Sequence, residues 1–376
     1  MRCNPEKRKV CGRQRILQND WKECKMKLVL DIDPRPGNAR NSEGSFIRMP
    51  DGGILFAYSR YSSDTAHDAD SCDIAVIRSF DEGETWSEPE IIVKAANYGV
   101  KNVMSVSCIY QQDGQIGVYF LIKENDRSTN LGRAISPDGY SFTWERCTHD
   151  SCSAFYVINN DRVERFADGR LVVPAARHII EPARYEEYSQ SVIWVSEDDG
   201  KTFHVLPHRL SIPKLKERDY GMQEPGIVEY EDGSVYLWAR TTSDYQYESY
   251  SYDHMKTFTE PKPSIFASPC SPMEIAKNPE TGIYYAIYNP YPSFRGDRTP
   301  FVVRTSKNQG KIWSMPTVIE EDKERGYCYP AVFFTKDNAM LCAYCRGGKE
   351  DPNCLARLGI MKIGLDEMEY EWYEGK

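Results

Sequence analysis

Short apolar stretches punctuated by tight turns run along the chain from one end to the other. Turn pairs stand at Asp51-Gly52, Asp113-Gly114, Asp168-Gly169, Asp232-Gly233, Thr281-Gly282 and Asp337-Asn338. Each is followed by an alternating stretch such as ILFAYSR, LVVPAAR or VYLWART, the period expected of a strand leaving a hairpin. A second punctuation runs alongside. SFDEGETW (Ser79–Trp86) recurs in altered form as SPDGYSFTW from Ser136, SEDDGKTF from Ser196, SYDHMKTF from Ser251 and SKNQGKIW from Ser306, at spacings of 57, 60, 55 and 55 residues. Each copy follows a short strand-like run, for example DIAVIR or FVVRT. One unit therefore reads strand, turn, strand, loop, strand, box, strand, and there are six hairpin units, five of them followed by a box. The pattern predicts an all-β chain, a six-bladed β-propeller of four-stranded antiparallel blades. The last unit, Pro330 to about Ile363, has no box, and the stretch Lys27–Asp31 is expected to complete its sheet and close the ring. Helical periodicity is confined to Pro5–Lys25, so residues 1–26 read as an N-terminal extension and 27–376 as a single propeller domain.

Composition narrows the partners. Of 376 residues, 40% are hydrophobic and 27% charged, as in ordinary globular proteins, and 25 are tyrosines, which suits strands and sugar-binding surfaces. A net charge of −9 disfavours a nucleic-acid partner, and the lack of a long apolar run predicts no membrane span. The start, MRCNPEKRKVCGRQRIL, is basic without the apolar core of a secretory signal, and twelve scattered cysteines lack framework spacing, so a cytoplasmic setting is expected. Cys342 and Cys345 have the spacing of half a zinc site but sit in the apolar AMLCAYC, which reads as core packing. With no phosphate loop, nucleophilic Ser elbow, zinc pattern or calcium loop, neither cofactor nor metal is expected.

The repeated box has a structural logic of its own: its Asp caps backbone N–H groups, and its aromatic wedges between sheets. The Ser-x-Asp-x-Gly-x-Thr-Trp pattern, complete at Ser79–Trp86 and degenerate at Ser251, resembles the Asp-box of the sialidase (neuraminidase) superfamily, over nearly the whole chain from about Gly44. That box also occurs in proteins that are not sialidases, so function has to come from other residues.

A sialidase must hold a sugar carboxylate, protonate a leaving oxygen and stabilise a cationic transition state. Arginines suit the first task, because each guanidinium offers paired donors and stays charged. Arg48 in EGSFIRMPDGG resembles the family's Arg-Ile-Pro motif, with Met49 in place of Ile. QEPGIVE followed by VYLWART resembles the segment that carries a catalytic Glu and the second arginine, giving Glu224 and Arg240 on either side of one hairpin. Arg298 matches the third arginine, with Arg295 as its rival. RGYCYPAVFF resembles the segment that bears the nucleophilic tyrosine: Tyr327 fits the register and Tyr329 competes. A neutral phenol is not repelled by the substrate's carboxylate, and its high resting pKa calls for a base, the role that falls to Glu224. The resemblance places an acid/base Asp in SRYSSDTAHDADSCDIAVIRS. There Asp68 beside His67 is chosen, Asp70 and Asp64 are alternatives, and Asp73 reads as structural. Arg60 resembles a further pocket arginine. Arg162, Arg177 and His178 occupy inner-strand ends of the third unit and are candidates for the pocket wall, a structural salt bridge being an equal reading for Arg162. Met104 and Ser105 are weaker candidates for sugar contacts.

The expectation is a retaining exo-glycosidase that releases terminal sialic acid or a related acidic sugar from a carbohydrate substrate. Two alternatives stand beside it: a sialidase-fold hydrolase or lyase for a different sugar, and a non-catalytic carbohydrate-binding propeller.

Overall fold

Turn chemistry sets the outline of the chain. In the computed structural model, which describes residues 26–148, 154–181, 184–214, 219–292 and 298–368 (179–181, 184–187 and 367 by backbone alone), strands alternate with tight turns throughout. The helical candidate Pro5–Lys25 and Arg295 lie outside the described residues. The fold is all-β and propeller-like, built of four-stranded antiparallel units.

Among the described residues the strands fall in five sheets. Two are simple meanders: Gln223–Glu229, Val235–Arg240, Tyr245–Ser251 and Lys262–Ala267, then Glu274–Lys277, Tyr284–Tyr288, Phe301–Ser306 and Thr317–Glu320. A third runs Cys328–Phe334, Ala339–Cys345, Leu358–Gly364 and finally Met26–Ile32, paired antiparallel from Met26↔Ile363 to Ile32↔Leu358. The N-terminal strand thus completes the last sheet, as expected. A five-stranded sheet centres on the long hairpin Leu171–Glu181 and Arg184–Ser196. Six separate sheets were expected. Instead, a single parallel pair, Cys72↔Asn102, joins two antiparallel meanders that begin at Arg40–Arg48 and Asn102–Tyr110 into one eight-stranded sheet.

The boxes share one plan, in which a backbone N–H three or four residues on donates to the Ser hydroxyl and the Asp or Asn side chain accepts from the turn. Gly83 N–H donates to Ser79 Oγ at 2.9 Å, while Asp81 accepts from Thr85 N–H at 2.9 Å and Thr85 Oγ1 at 2.6 Å. Trp86 then packs against Phe46 and Phe56 between sheets. The degenerate copy keeps these bonds: Met255 N–H to Ser251 Oγ at 2.9 Å, and Thr257 to Asp253 at 2.9 and 2.6 Å. Cys342 and Cys345 are fully buried in their strand, as core packing predicts.

The innermost strands share a second device. Four of them carry a register shift, at Ser42/Ser45, Met104/Ser107, Gln223/Gly226 and Cys328/Ala331. Inside each shift sits a non-glycine residue in the left-handed region: Glu43 (φ 55°), Ser105 (61°), Glu224 (42°) and Tyr329 (56°). A bulge of this kind breaks strict alternation and re-aims one side chain, at a conformational cost that the surrounding sheet must hold in place.

Candidate functional site

All four re-aimed side chains line one cavity of about 560 Å³, together with Arg40, His67, Asp68, Lys123, Phe155, His178, Gln223 and Arg240. The cavity therefore sits where the inner strands begin, because antiparallel pairing places the start of each inner strand beside the end of its neighbour. Gln223 pairs with Arg240 in this way.

At the centre, Tyr329 Oη donates to Glu224 Oε1 at 2.9 Å. Arg240 Nη1 lies 3.0 Å from Glu224 Oε2 and 3.4 Å from Tyr329 Oη, and its Nη2 donates to Gln223 Oε1 at 2.8 Å. Burial pushes the Tyr329 phenol well above its usual pKa. The Glu224 charge adds to that rise, and Arg240 and Arg298 oppose it. The hydroxyl thus rests neutral with a carboxylate already in place to take its proton.

Arg298 stands behind this pair. Its Cζ is 5.8 Å from the Tyr329 ring centre, and its Nη1 donates to Cys328 Sγ at 2.9 Å. It adjoins the dyad without lining the cavity. On the opposite side Arg40, 1% exposed, bonds Glu43 Oε2 at 2.7 Å and pairs with Asp68. Burial raises the Glu43 carboxyl, and Arg40 counters only part of that.

Several expected positions are not brought together here. Tyr327 is buried between Phe301 and Tyr344, and its hydroxyl has no hydrogen-bond partner among the described residues; the bulge at Cys328/Ala331 turns Tyr329 to the cavity instead. Arg48 ends its strand at the far side, where it grips Glu82 at 2.7 and 2.8 Å, and eight residues of strand (roughly 26 Å) separate it from the cavity rim. Arg40, at the start of that strand, lines the cavity, and Arg48 does not. Arg60 lies on the second strand, paired with Asn41 and Asp73, and does not line the cavity. Asp70 bonds Thr65 and the His67 N–H within its own loop, and Asp64 accepts from Gly37 N–H at 3.0 Å; both lie outside the cavity. Arg162 is buried between units in an ion pair with Glu274, the structural reading. Arg177 is half-buried and off the cavity lining, whereas His178, Met104 and Ser105 are on it. Sequence reasoning missed Arg40, Glu43, Lys123, Phe155 and Gln223. The local signal for Glu43 was available: like Glu224 and Tyr329, it directly precedes a Gly or Pro in an inner strand.

No cluster of three or more potential metal ligands occurs among the described residues, and none of their helices is long and apolar enough to cross a membrane.

The family model described as "BNR repeat-like domain" matches residues 39–342. The chain belongs to this BNR repeat-like family. Solved structures with the same fold include a Dyadobacter fermentans protein of unknown function (17% identity, 90% of this chain and 99% of that one, TM-score 0.68). A Hadza microbial sialidase is similar over 88% of this chain and 66% of its own at 17% identity, again with TM-score 0.68. The leech intramolecular trans-sialidase, solved with 2,7-anhydro-Neu5Ac, is 13% identical over 91% of this chain and 70% of its own, TM-score 0.68. At these identities the likeness is one of fold. No curated protein sequence matches the chain.

Proposed function

We propose that this BNR repeat-like protein is a retaining exo-glycosidase acting on terminal sialic acid or a related acidic sugar. The observation that carries the reading is the buried Tyr329–Glu224 hydrogen bond of 2.9 Å, braced by Arg240 and facing a cavity large enough for a sugar. The sugar carboxylate is held by Arg40 and Arg240, with Arg298 adding charge from behind. Tyr329 Oη attacks the anomeric carbon as Glu224 takes the phenolic proton. The bond to the leaving oxygen breaks, its electron pair stays on that oxygen, and Asp68 supplies the proton. Water, deprotonated by Asp68, then releases the sugar from Tyr329 with net retention. Tyr329 thus replaces Tyr327, and Arg40 replaces Arg48, in the roles first expected.

We read the eight-stranded sheet as two blades, which makes the propeller six-bladed. Apolar layers between successive units support this, the last joining Phe46 and Ile54 to Leu341 and Ile360 across the closure. A single domain over 27–376 and a cytoplasmic setting belong to the same proposal; the eight described cysteines are all free thiols.

One observation favours a second reading. Arg40 and Arg240 are both engaged by the chain's own carboxylates, which suits a sialidase-fold enzyme for another sugar. A panel of fluorogenic glycosides separates the two. Turnover of the α-sialoside, lost by about 10²–10⁴-fold in Glu224→Gln, supports the first reading. Turnover only of another glycoside retires the sialic-acid claim, and silence across the panel leaves a binding module.

A further inference from the structure

Every nitrogen of the Arg40 guanidinium is engaged. Nε donates to Ser42 Oγ at 2.9 Å, Nη2 to Glu43 Oε2 at 2.7 Å, and Nη1 to Asp68 Oδ1. The Tyr61 ring, 4.4 Å from Cζ, closes one face of the group. The two carboxylate partners differ in kind. Glu43 sits on a bulged inner strand, its side chain 4% exposed, and also accepts from Ser42 Oγ at 2.9 Å and Ser105 Oγ at 3.2 Å. Asp68 rides on a loop with its side chain 68% exposed. One partner is buried in the sheet; the other has its carboxylate largely in solvent, on a loop whose backbone accepts from Asn102 Nδ2 at Asp68 O and Asp70 O. Three of the five guanidinium N–H groups of Arg40 are taken by Ser42, Glu43 and Asp68, so a ligand carboxylate that binds Nη1 competes with the Asp68 carboxylate for the same cation.

We propose that Asp68 is a stand-in for the substrate's carboxylate on Arg40, so that an acidic sugar displaces Asp68 on binding and only then frees it to act as the proton donor. This deepens the glycosidase reading above and rests on it. The chemistry explains why such a latch is useful. Burial pushes the Asp68 carboxyl up, but the charge and hydrogen bond of Arg40 outweigh it, with smaller help from His67 and Lys123, and hold the group below its ordinary pKa. An acid kept ionised has no proton to give. Once the ligand carboxylate occupies Arg40, Asp68 loses its cation and gains an anionic neighbour, and both changes favour the protonated form. A neutral glycoside leaves the ion pair intact and finds no acid. The pair therefore selects for acidic sugars in the chemical step as well as in binding.

The test is calorimetric titration of 2-deoxy-2,3-didehydro-N-acetylneuraminic acid and of its uncharged methyl ester into wild type, Asp68→Ala, Asp68→Asn and Asp70→Asn. With the latch removed, both Asp68 variants bind the acid roughly tenfold tighter than wild type, while affinity for the ester stays unchanged. Asp70→Asn removes the same charge from the same loop without touching Arg40, and binds the acid within about twofold of wild type. Two variants at position 68, each checked by its melting curve, guard against a misfolded protein. Equal or weaker binding of the acid by the Asp68 variants overturns the latch while leaving the glycosidase reading in place, and so does an equal gain in Asp70→Asn. Failure of wild type and both variants to bind the acid removes the sialic-acid reading, and the latch with it.

Discussion

In a regular strand, residues two apart share a face, so Tyr327 and Tyr329 would point the same way if the chain were regular there. The shift at Cys328/Ala331 puts Tyr329 in the left-handed region and on the cavity wall, and leaves Tyr327 in the core. Tyr327→Phe removes a buried hydroxyl that has no hydrogen-bond partner, so it keeps full turnover and changes stability in urea by less than about 1 kcal/mol. Tyr329→Phe instead abolishes turnover while the protein stays folded. Glu224 was legible because Gln-Glu-Pro-Gly is a distinctive local string, and Tyr329-Pro330 repeats its logic. Arg40 was not legible, because its role depends on which end of the inner strand faces the cavity, and that is fixed by packing between distant units.

At the scale of the element, the hairpins and boxes were readable because turn chemistry is local: Ser, Asp, Gly and Thr carry the bonds that shape them. The copy at Ser251 shows how little is required. Met255 takes the position held by glycine elsewhere, at φ 66°, and the Ser and Asp bonds remain. Two glycines separate backbone strain from crowding. Gly52 (φ 93°) has open space where a Cβ would go, whereas a Cβ on Gly83 (φ 86°) would meet Leu341 of the closing sheet at 2.7 Å. Gly52→Ala is expected to lower stability by about 1 kcal/mol, and Gly83→Ala by about 2–3 kcal/mol, measured by urea unfolding. Asp81 adds a pH dependence. Partial burial pushes its carboxyl up, but bonds from Thr85 and Ser79 win and hold it down, at about 2. Because the folded value lies below the ordinary one of 3.8, its stabilisation is complete above that value and is lost as pH falls toward 2. The melting temperature of Asp81→Asn should therefore fall less steeply than that of wild type between pH 4 and pH 2, a window set by the ordinary and shifted carboxyl values.

For the whole molecule, the segment Asn160–Arg162 acts as an axial tie. Asn160 Nδ2 donates to Gly44 O at 2.8 Å and Pro330 O at 3.2 Å, Asp161 accepts from Ser45 Oγ at 2.5 Å, and Arg162 N–H donates to Ser107 Oγ at 2.8 Å. Arg162 also pairs with Glu274 and lies over Trp238. Three consecutive residues thus reach each of the other strand groups, a convergence that no local pattern announces. The sequence left Arg162 open between pocket wall and salt bridge for that reason. Arg162→Met strands the buried Glu274 and should cost about 3–5 kcal/mol in urea unfolding, and adding Glu274→Met should restore most of the loss. Independent, additive losses in that cycle would show that the two units are not coupled through this pair.

The most direct test of the central claim is to incubate the protein with a 2,3-difluorosialic acid, which forms a slowly hydrolysed glycosyl-enzyme, and to map the labelled peptide by mass spectrometry. A single adduct on the phenolic oxygen of Tyr329 is expected, absent in Tyr329→Phe and retained in Tyr327→Phe. An adduct on Tyr327 or on a carboxylate, or sialoside turnover that persists in Tyr329→Phe, would contradict the claim.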